Sequence, residues 1–299
     1  MTKITEGTIP FLGHETYYRI AGDLSSGKTP LLCLHGGPGS THNYFEIFDE
    51  LGEERPVISY DQIGCGNSYL DHHPRLWNKD TWIHELETLR SALHLDHVHL
   101  LGQSWGGMLE IAYMIDKKPG GVSSLILSST LSSARLWAEE NHRQIHYLPE
   151  KEQEAIRRAE ESGNFNDPEY LRANEHFMEL HCAGPYGEKD PECLRRTKKA
   201  GSEAYLTAWG PNEYTPTGTL KDFEYSDRLQ EIDVPCLICS GTDDLCTPLV
   251  AKTMYDRLPR AKWILYPNAR HMCFVDAHDA YMRDLSDWLD RIDRNQISQ

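Results

Sequence analysis

The chain lacks any long apolar run. No stretch reaches the roughly 20 residues a helix needs to cross a bilayer. Its start, Met1-Thr2-Lys3-Ile4-Thr5-Glu6-Gly7, holds no apolar core of the kind a secretory signal requires. Positive charge is also scarce: 30 Lys and Arg stand against 46 Asp and Glu, a net charge of −16. That balance argues against nucleic acid or an anionic membrane as a partner. There is no internal repeat and no low-complexity tract. The 8 cysteines form no disulfide framework and mostly sit inside apolar, strand-like runs. Cys236-x-x-Cys239 has redox spacing, but it falls within Val234-Pro235-Cys236-Leu237-Ile238-Cys239, a core-strand pattern. Redox chemistry wants that motif at a helix start. Reduced thiols in an intracellular, cytoplasmic protein are therefore expected.

What remains is a chain of 299 residues, 39% hydrophobic and 25% charged, sized for one α/β domain with or without an insertion. Short strands alternate with helices through the first part. Thr16–Ile20, Pro30–Leu34, Pro56–Tyr60, Val98–Leu101 and Ser124–Leu127 read as strands. Trp82, Leu86, Leu89 and Leu93 share one helical face, with Asp80 as the expected N-cap. From about 131 to 232 the texture becomes charged and helical, cut by Gly163, Pro168, Gly184-Pro185, Pro191 and Gly210-Pro211. Strand signals resume at Val234 and at Lys262–Tyr266, and a helix carrying Tyr281, Leu285, Trp288 and Ile292 closes the chain. The expectation is an α/β fold with a mostly parallel sheet: core in 1–130 and 233–299, helical cap in 131–232.

Between Val98–Leu101 and the helical spacing of Met108, Leu109, Ala112 and Ile115 lies Gly102-Gln103-Ser104-Trp105-Gly106. A Gly-x-Ser-x-Gly between strand and helix describes a sharp elbow that lifts a serine hydroxyl above the sheet. A serine needs a base to take its proton, and the base needs an acid to fix its tautomer. In this fold the order is serine, acid, histidine, each after a strand. Asp243 and Asp244 follow one strand and His271 the next, so Ser104, His271 and one of the two aspartates form the expected triad. Two backbone donors complete acyl-transfer chemistry. Trp105 N–H follows the nucleophile, and Gly37 N–H is offered by His35-Gly36-Gly37-Pro38-Gly39, with Gly36 beside it on the substrate side. That loop fits neither a P-loop nor a dinucleotide fingerprint, so no cofactor is expected. His94-x-x-His97-x-His99 has ligand-like spacing, but it runs from a helix into a strand and its side chains should diverge. His72-His73 reads as a solvated loop, and no metal is expected.

With the elbow, His35-Gly36-Gly37-Pro38-Gly39 and Asp61-Gln62-x-Gly64-x-Gly66-x-Ser68 together, the chain resembles the proline iminopeptidases. These are α/β-hydrolase serine aminopeptidases, and the resemblance spans nearly the whole chain. It implies Asp244 as the acid, through Gly241, Asp244 and Pro248, and His271 as the base. It implies that Glu213, in Gly210-Pro211-Asn212-Glu213, binds the free α-ammonium of a small peptide or amino-acid amide. Tyr205 and Trp209 would wall the site for a pyrrolidine ring. The sequence departs from the family at Leu245, where relatives often carry a second carboxylate, and this opens an amidase or esterase reading. Epoxide hydrolases and dehalogenases of this fold use an aspartate where Ser104 stands. A non-catalytic binding protein would have no need to keep the triad. Cys246 and Cys273 flank the acid and base, so thiol reagents are expected to crowd the triad through them. Oligomeric state is not legible in the sequence.

Overall fold

The apolar runs between turn signals do become the strands of one sheet. The computed structural model describes residues 2–294. Its strands are β1 (Ile4–Phe11), β2 (His14–Ala21), β3 (Leu31–Leu34), β4 (Val57–Tyr60), β5 (Val98–Gln103), β6 (Val122–Ser128), β7 (Cys236–Gly241) and β8 (Ala261–Tyr266). The helices are α1 (Lys79–Ala92), α2 (Trp105–Lys117), α3 (Ala134–Ile145), α4 (Glu150–Ser162), α5 (Pro168–His181), α6 (Glu192–Arg195), α7 (Ser202–Ala208), α8 (Pro248–Tyr255), α9 (Cys273–Asp276) and α10 (His278–Asp293). The sheet order is β1-β2-β4-β3-β5-β6-β7-β8. Pairing is antiparallel for β1·β2 and β2·β4 and parallel from β4 onward.

Residues of β3, β4, β5 and β7 are buried on both faces, as parallel strands covered by helices must be. α2 is buried from Trp105 through Ile115, so it runs through the core and not along its surface. α10 packs Tyr281, Leu285 and Trp288 on the opposite face, next to Phe48 and Phe274. Between β6 and β7 the chain is helical, from α3 to α7, and one isolated bridge, Ser133 to Glu224, ties the two ends of that segment together. Among the described residues, no helix is long and apolar enough to cross a membrane.

Two local readings need correction. The N-cap of α1 is Asn78, whose side chain accepts from Thr81 N–H at 3.1 Å, while Asp80 lies in the first turn. The Asn78 carbonyl oxygen reaches the first exposed backbone donors, and a residue already inside the helix cannot. β1 was also not anticipated. Its pairing with β2 across a turn with Leu12 at φ 47° and Gly13 at φ 80° is a tertiary choice for a mostly exposed strand.

Glu85 of α1 is fully buried and accepts from Thr16 Oγ1 at 2.5 Å and from Ile63 N–H at 2.8 Å. Burial raises its carboxyl from 4.5 to about 8. The folded protein therefore holds a proton that the unfolded chain releases. That contribution to stability is complete below the unfolded value and is lost as pH rises toward 8, with a slope of up to about 1.4 kcal/mol per pH unit. Denaturant midpoints across this window should fall in the wild type and flatten in Glu85→Gln. A parallel decline in both proteins would exclude Glu85 as the source.

Candidate active site

Close packing builds the elbow. A Cβ on Gly106 would lie 1.9 Å from the Leu34 carbonyl oxygen, and one on Gly102 would lie 2.4 Å from the Gly106 backbone. Only glycines let α2 start directly over the ends of β3 and β5. Ser104, at φ 55° and ψ −121°, takes the strained position between them. Such a conformation costs about 1–3 kcal/mol and survives only where its surroundings impose it. Here Ser104 N–H donates to the Ser128 carbonyl at 3.1 Å, and Thr130 Oγ1 donates to the Ser104 carbonyl at 2.6 Å.

Asp244 follows β7 and His271 follows β8, so neighbouring parallel strands bring them together. His271 Nδ1 lies 2.8 Å from Asp244 Oδ1. The same carboxylate accepts from Cys246 N–H at 2.8 Å, Gly241 N–H at 3.1 Å and Ser129 Oγ at 2.6 Å. Asp243 is exposed, with Thr242 Oγ1 as its side-chain donor, so the hydrogen bonds favour Asp244 of the two. With Asp244 accepting on Nδ1–H, Nε2 of His271 is left for proton transfer. The Trp137 ring packs edge-on against His271, with centroids 5.6 Å apart. Among the described residues no hydrogen bond joins the Ser104 hydroxyl to His271. In such sites that link is commonly long until substrate arrives.

Ser104 and His271 line one cavity of about 600 Å³ together with Gly36, Gly37, Tyr205 and Glu213. The Gly36 N–H is spent on Tyr44 Oη at 2.6 Å, and Tyr44 in turn donates to Gln103 Oε1 at 3.0 Å. A Cβ on Gly36 would meet Gln103 Oε1 at 2.5 Å and Ser104 Cβ at 3.0 Å. Gly37 turns away at φ 112°. Among the described residues neither the Gly37 N–H nor the Trp105 N–H has a protein acceptor. The loop is braced from behind. Gln62 N–H donates to His35 Nε2 at 3.0 Å, which leaves the ring proton on Nδ1 for the Gly36 carbonyl at 2.9 Å. Burial pulls His35 down to about 4, so it is a neutral brace. Gln62 also joins the two halves of the site, donating to the His35 carbonyl at 2.9 Å and accepting from Trp105 Nε1 at 2.7 Å.

Glu213 enters from the α7–β7 segment. Tyr205 Oη donates to its Oε1 at 2.7 Å, and the indoles of Trp137 and Trp209 donate to its backbone carbonyl at 2.8 Å and 3.3 Å. Burial raises its carboxyl above the usual range. Trp209 itself is buried behind Glu213 and is not among the lining residues, so it cannot wall a ring there. Leu245 is also fully buried and away from the lining. Helices of the 131–232 segment hold the acid loop by its carbonyls. Gln144 Nε2 donates to Asp244 O at 3.0 Å, and Asn141 Nδ2 donates to Leu245 O at 3.2 Å.

Ser129, Tyr44 and Trp137 are site residues that sequence reasoning missed. Only Ser129 left a signal, in the run of small hydroxyl residues that ends β6. His99 is buried between Ser124 Oγ and Asp293, apart from the exposed His94 and His97. Among the described residues the one group close enough to share an ion is His35, Asp61 and Cys65. Asp61 there already accepts from His42 Nδ1 and N–H, both at 2.8 Å, and from Asn67 N–H at 2.8 Å. Its donors are His42 and Asn67, so Asp61 ties the segment that starts at His42 to the Asp61-to-Ser68 motif.

A family profile described as alpha/beta hydrolase fold matches residues 29–277. A proline iminopeptidase of Clostridioides difficile is 57% identical over 292 residues, covering 97% of this chain and 100% of that protein. One from Lactobacillus helveticus is 59% identical, covering 97% and 99%. The chain belongs to the proline iminopeptidase family of α/β hydrolases. The crystal structure of a family member from Mycobacterium smegmatis superposes with a TM-score of 0.85 at 31% identity, covering 97% of this chain and 99% of that one.

The cysteine expectation changes with the structure. Cys246 and Cys273 are fully buried, whereas Cys182 lines the cavity. A bulky maleimide should therefore inactivate the protein slowly through Cys182, whose thiol burial holds well above its usual range. Cys182→Ser should resist the reagent. Equal loss of activity in both proteins would exclude Cys182.

Proposed function

We propose that this protein is a serine aminopeptidase that removes an N-terminal proline, or a small apolar residue, from a short peptide. The observation that carries this reading is the partly buried Glu213 carboxylate, which lines the same cavity as Ser104 and His271. An ammonium paired with it is fixed at the end of the substrate, and so is the first peptide bond. A carboxylate raised by burial is drawn back to its ionised form by that ammonium, so affinity and selectivity share one origin.

In this mechanism His271 Nε2 takes the Ser104 proton as Oγ attacks the first carbonyl carbon. The Gly37 and Trp105 N–H groups receive the oxyanion, and Asp244 holds the imidazolium. His271 then protonates the departing nitrogen, the C–N bond breaks, and the acyl-enzyme forms. Water attacks that ester, giving its proton to His271, which returns it to Ser104 as the free amino acid leaves. The 131–232 segment acts as a cap that supplies Glu213 and Tyr205 and excludes long chains from the amine end. Eight free thiols support a cytoplasmic setting. The test is hydrolysis of L-prolyl arylamide beside its N-acetylated twin. Cleavage confined to the free amine supports the aminopeptidase. Equal cleavage of both, or cleavage of simple esters alone, would support the amidase or esterase reading instead.

A further inference from the structure

We propose that Lys198 reads the free C-terminal carboxylate of a short peptide, so the site recognises both ends of its substrate. The inference rests on the aminopeptidase reading, which places the substrate's ammonium at Glu213. Lys198 lines the same cavity, and among the described lining residues it is the only lysine or arginine. Its Nζ sits 5.5 Å from the centroid of the Tyr44 ring. That ring's hydroxyl accepts from Gly36 N–H and donates to Gln103, the residue before Ser104. Lys198 therefore leans on the core wall of the cavity, beside the Gly36–Gly37 loop, whereas Glu213 is held by Tyr205, Trp137 and Trp209.

Three further observations point to a ligand carboxylate. First, the segment is fixed: Gly201 N–H donates to Gly39 O at 2.8 Å, and Gly66 N–H donates to Lys199 O at 2.8 Å. Second, the acids nearby are engaged elsewhere, because Glu46 pairs with Arg196 and Asp61 accepts from His42 and Asn67. Among the described residues no carboxylate comes within 4.0 Å of Lys198 Nζ. Third, burial pulls the Lys198 ammonium below the usual lysine range, as expected of a partly desolvated cation with no partner. A chain with a net charge of −16 has no shortage of acids to neutralise it. With the ammonium on Glu213 and the first carbonyl over Ser104, the rest of a dipeptide or tripeptide extends away from Glu213. Its carboxylate is the complementary charge for a lysine on the other wall.

The experiment compares kcat/KM for prolyl-alanine and prolyl-alanyl-alanine with their C-terminal amides. The wild type should prefer the free acid by about tenfold or more at one of the two lengths, mainly through KM. Lys198→Gln should bring that ratio near 1, and Lys198→Arg should keep most of it. A wild-type ratio near 1 at both lengths overturns the inference without needing any variant. So does a preference that persists in Lys198→Gln. If the wild type cleaves L-prolyl arylamide but not its N-acetylated twin in either of those cases, the aminopeptidase reading stands and only the role of Lys198 falls. If it does not, both fall.

Discussion

Ser104→Ala should keep its fold and lose hydrolysis of L-prolyl arylamide by about 10⁴-fold or more. The Ser104 hydroxyl makes no hydrogen bond among the described residues, so its removal leaves no buried partner stranded. The contacts that hold the elbow are backbone ones, to Ser128 O and from Thr130 Oγ1. Alanine meets the same positive φ with the same Cβ, so the strain is unchanged and the thermal midpoint should stay close to that of the wild type. What is lost is the nucleophile itself, and the remaining donors can only assist direct attack by water. A fluorophosphonate probe makes the outcome unambiguous. It should label the wild type once and leave Ser104→Ala unlabelled. Labelling that survives the substitution, or full activity in the variant, would refute the serine mechanism.

Glu213→Gln should cost on the order of a hundredfold in kcat/KM for L-prolyl arylamide, about 3 kcal/mol. The substitution keeps the shape and an acceptor for Tyr205 Oη, and it removes the charge. An incoming ammonium would then be taken from water into a partly buried site with no anion to meet it, which is where the penalty arises. The effect should depend on the substrate: a neutral ester, with no ammonium to place, should be cleaved at a rate close to wild type. A uniform loss on both substrates would mean that Glu213 supports the cap and does not read the amine. Leu245 bears on the same point. It was expected to mark a missing second anion, but it is buried away from the cavity, and Glu213 is the one acidic residue among the described lining residues.

The interior of the fold was legible and its edge was not. β3, β4, β5 and β7 are short apolar runs ended by glycines or charged turns, because strands covered on both faces have no polar side to show. β1 is largely exposed and gives no such pattern; its partner strand decides it. The same division holds in the site. The elbow glycines, Ser104 and the Gly36–Gly37 loop are local, since each answers a constraint of backbone geometry within a few residues. Trp209 was misplaced because an aromatic beside a functional glutamate can face the ligand or stand behind it, and sequence spacing does not choose between them.

By itself, the amino-acid sequence determined the parallel sheet, the strained serine turn and the order in which serine, aspartate and histidine follow the strands. These follow from periodicity and from what a glycine or a proline permits. Tertiary structure set Asp244 apart from Asp243, because donors from Gly241, Ser129 and Cys246 converge on the Asp244 carboxylate. It also set Glu213 and Lys198 in one cavity, kept Cys182 at its surface and buried Cys246 and Cys273 fully. Those are relations between side chains far apart in the chain, and only packing fixes the distances and burial on which charge and reactivity depend.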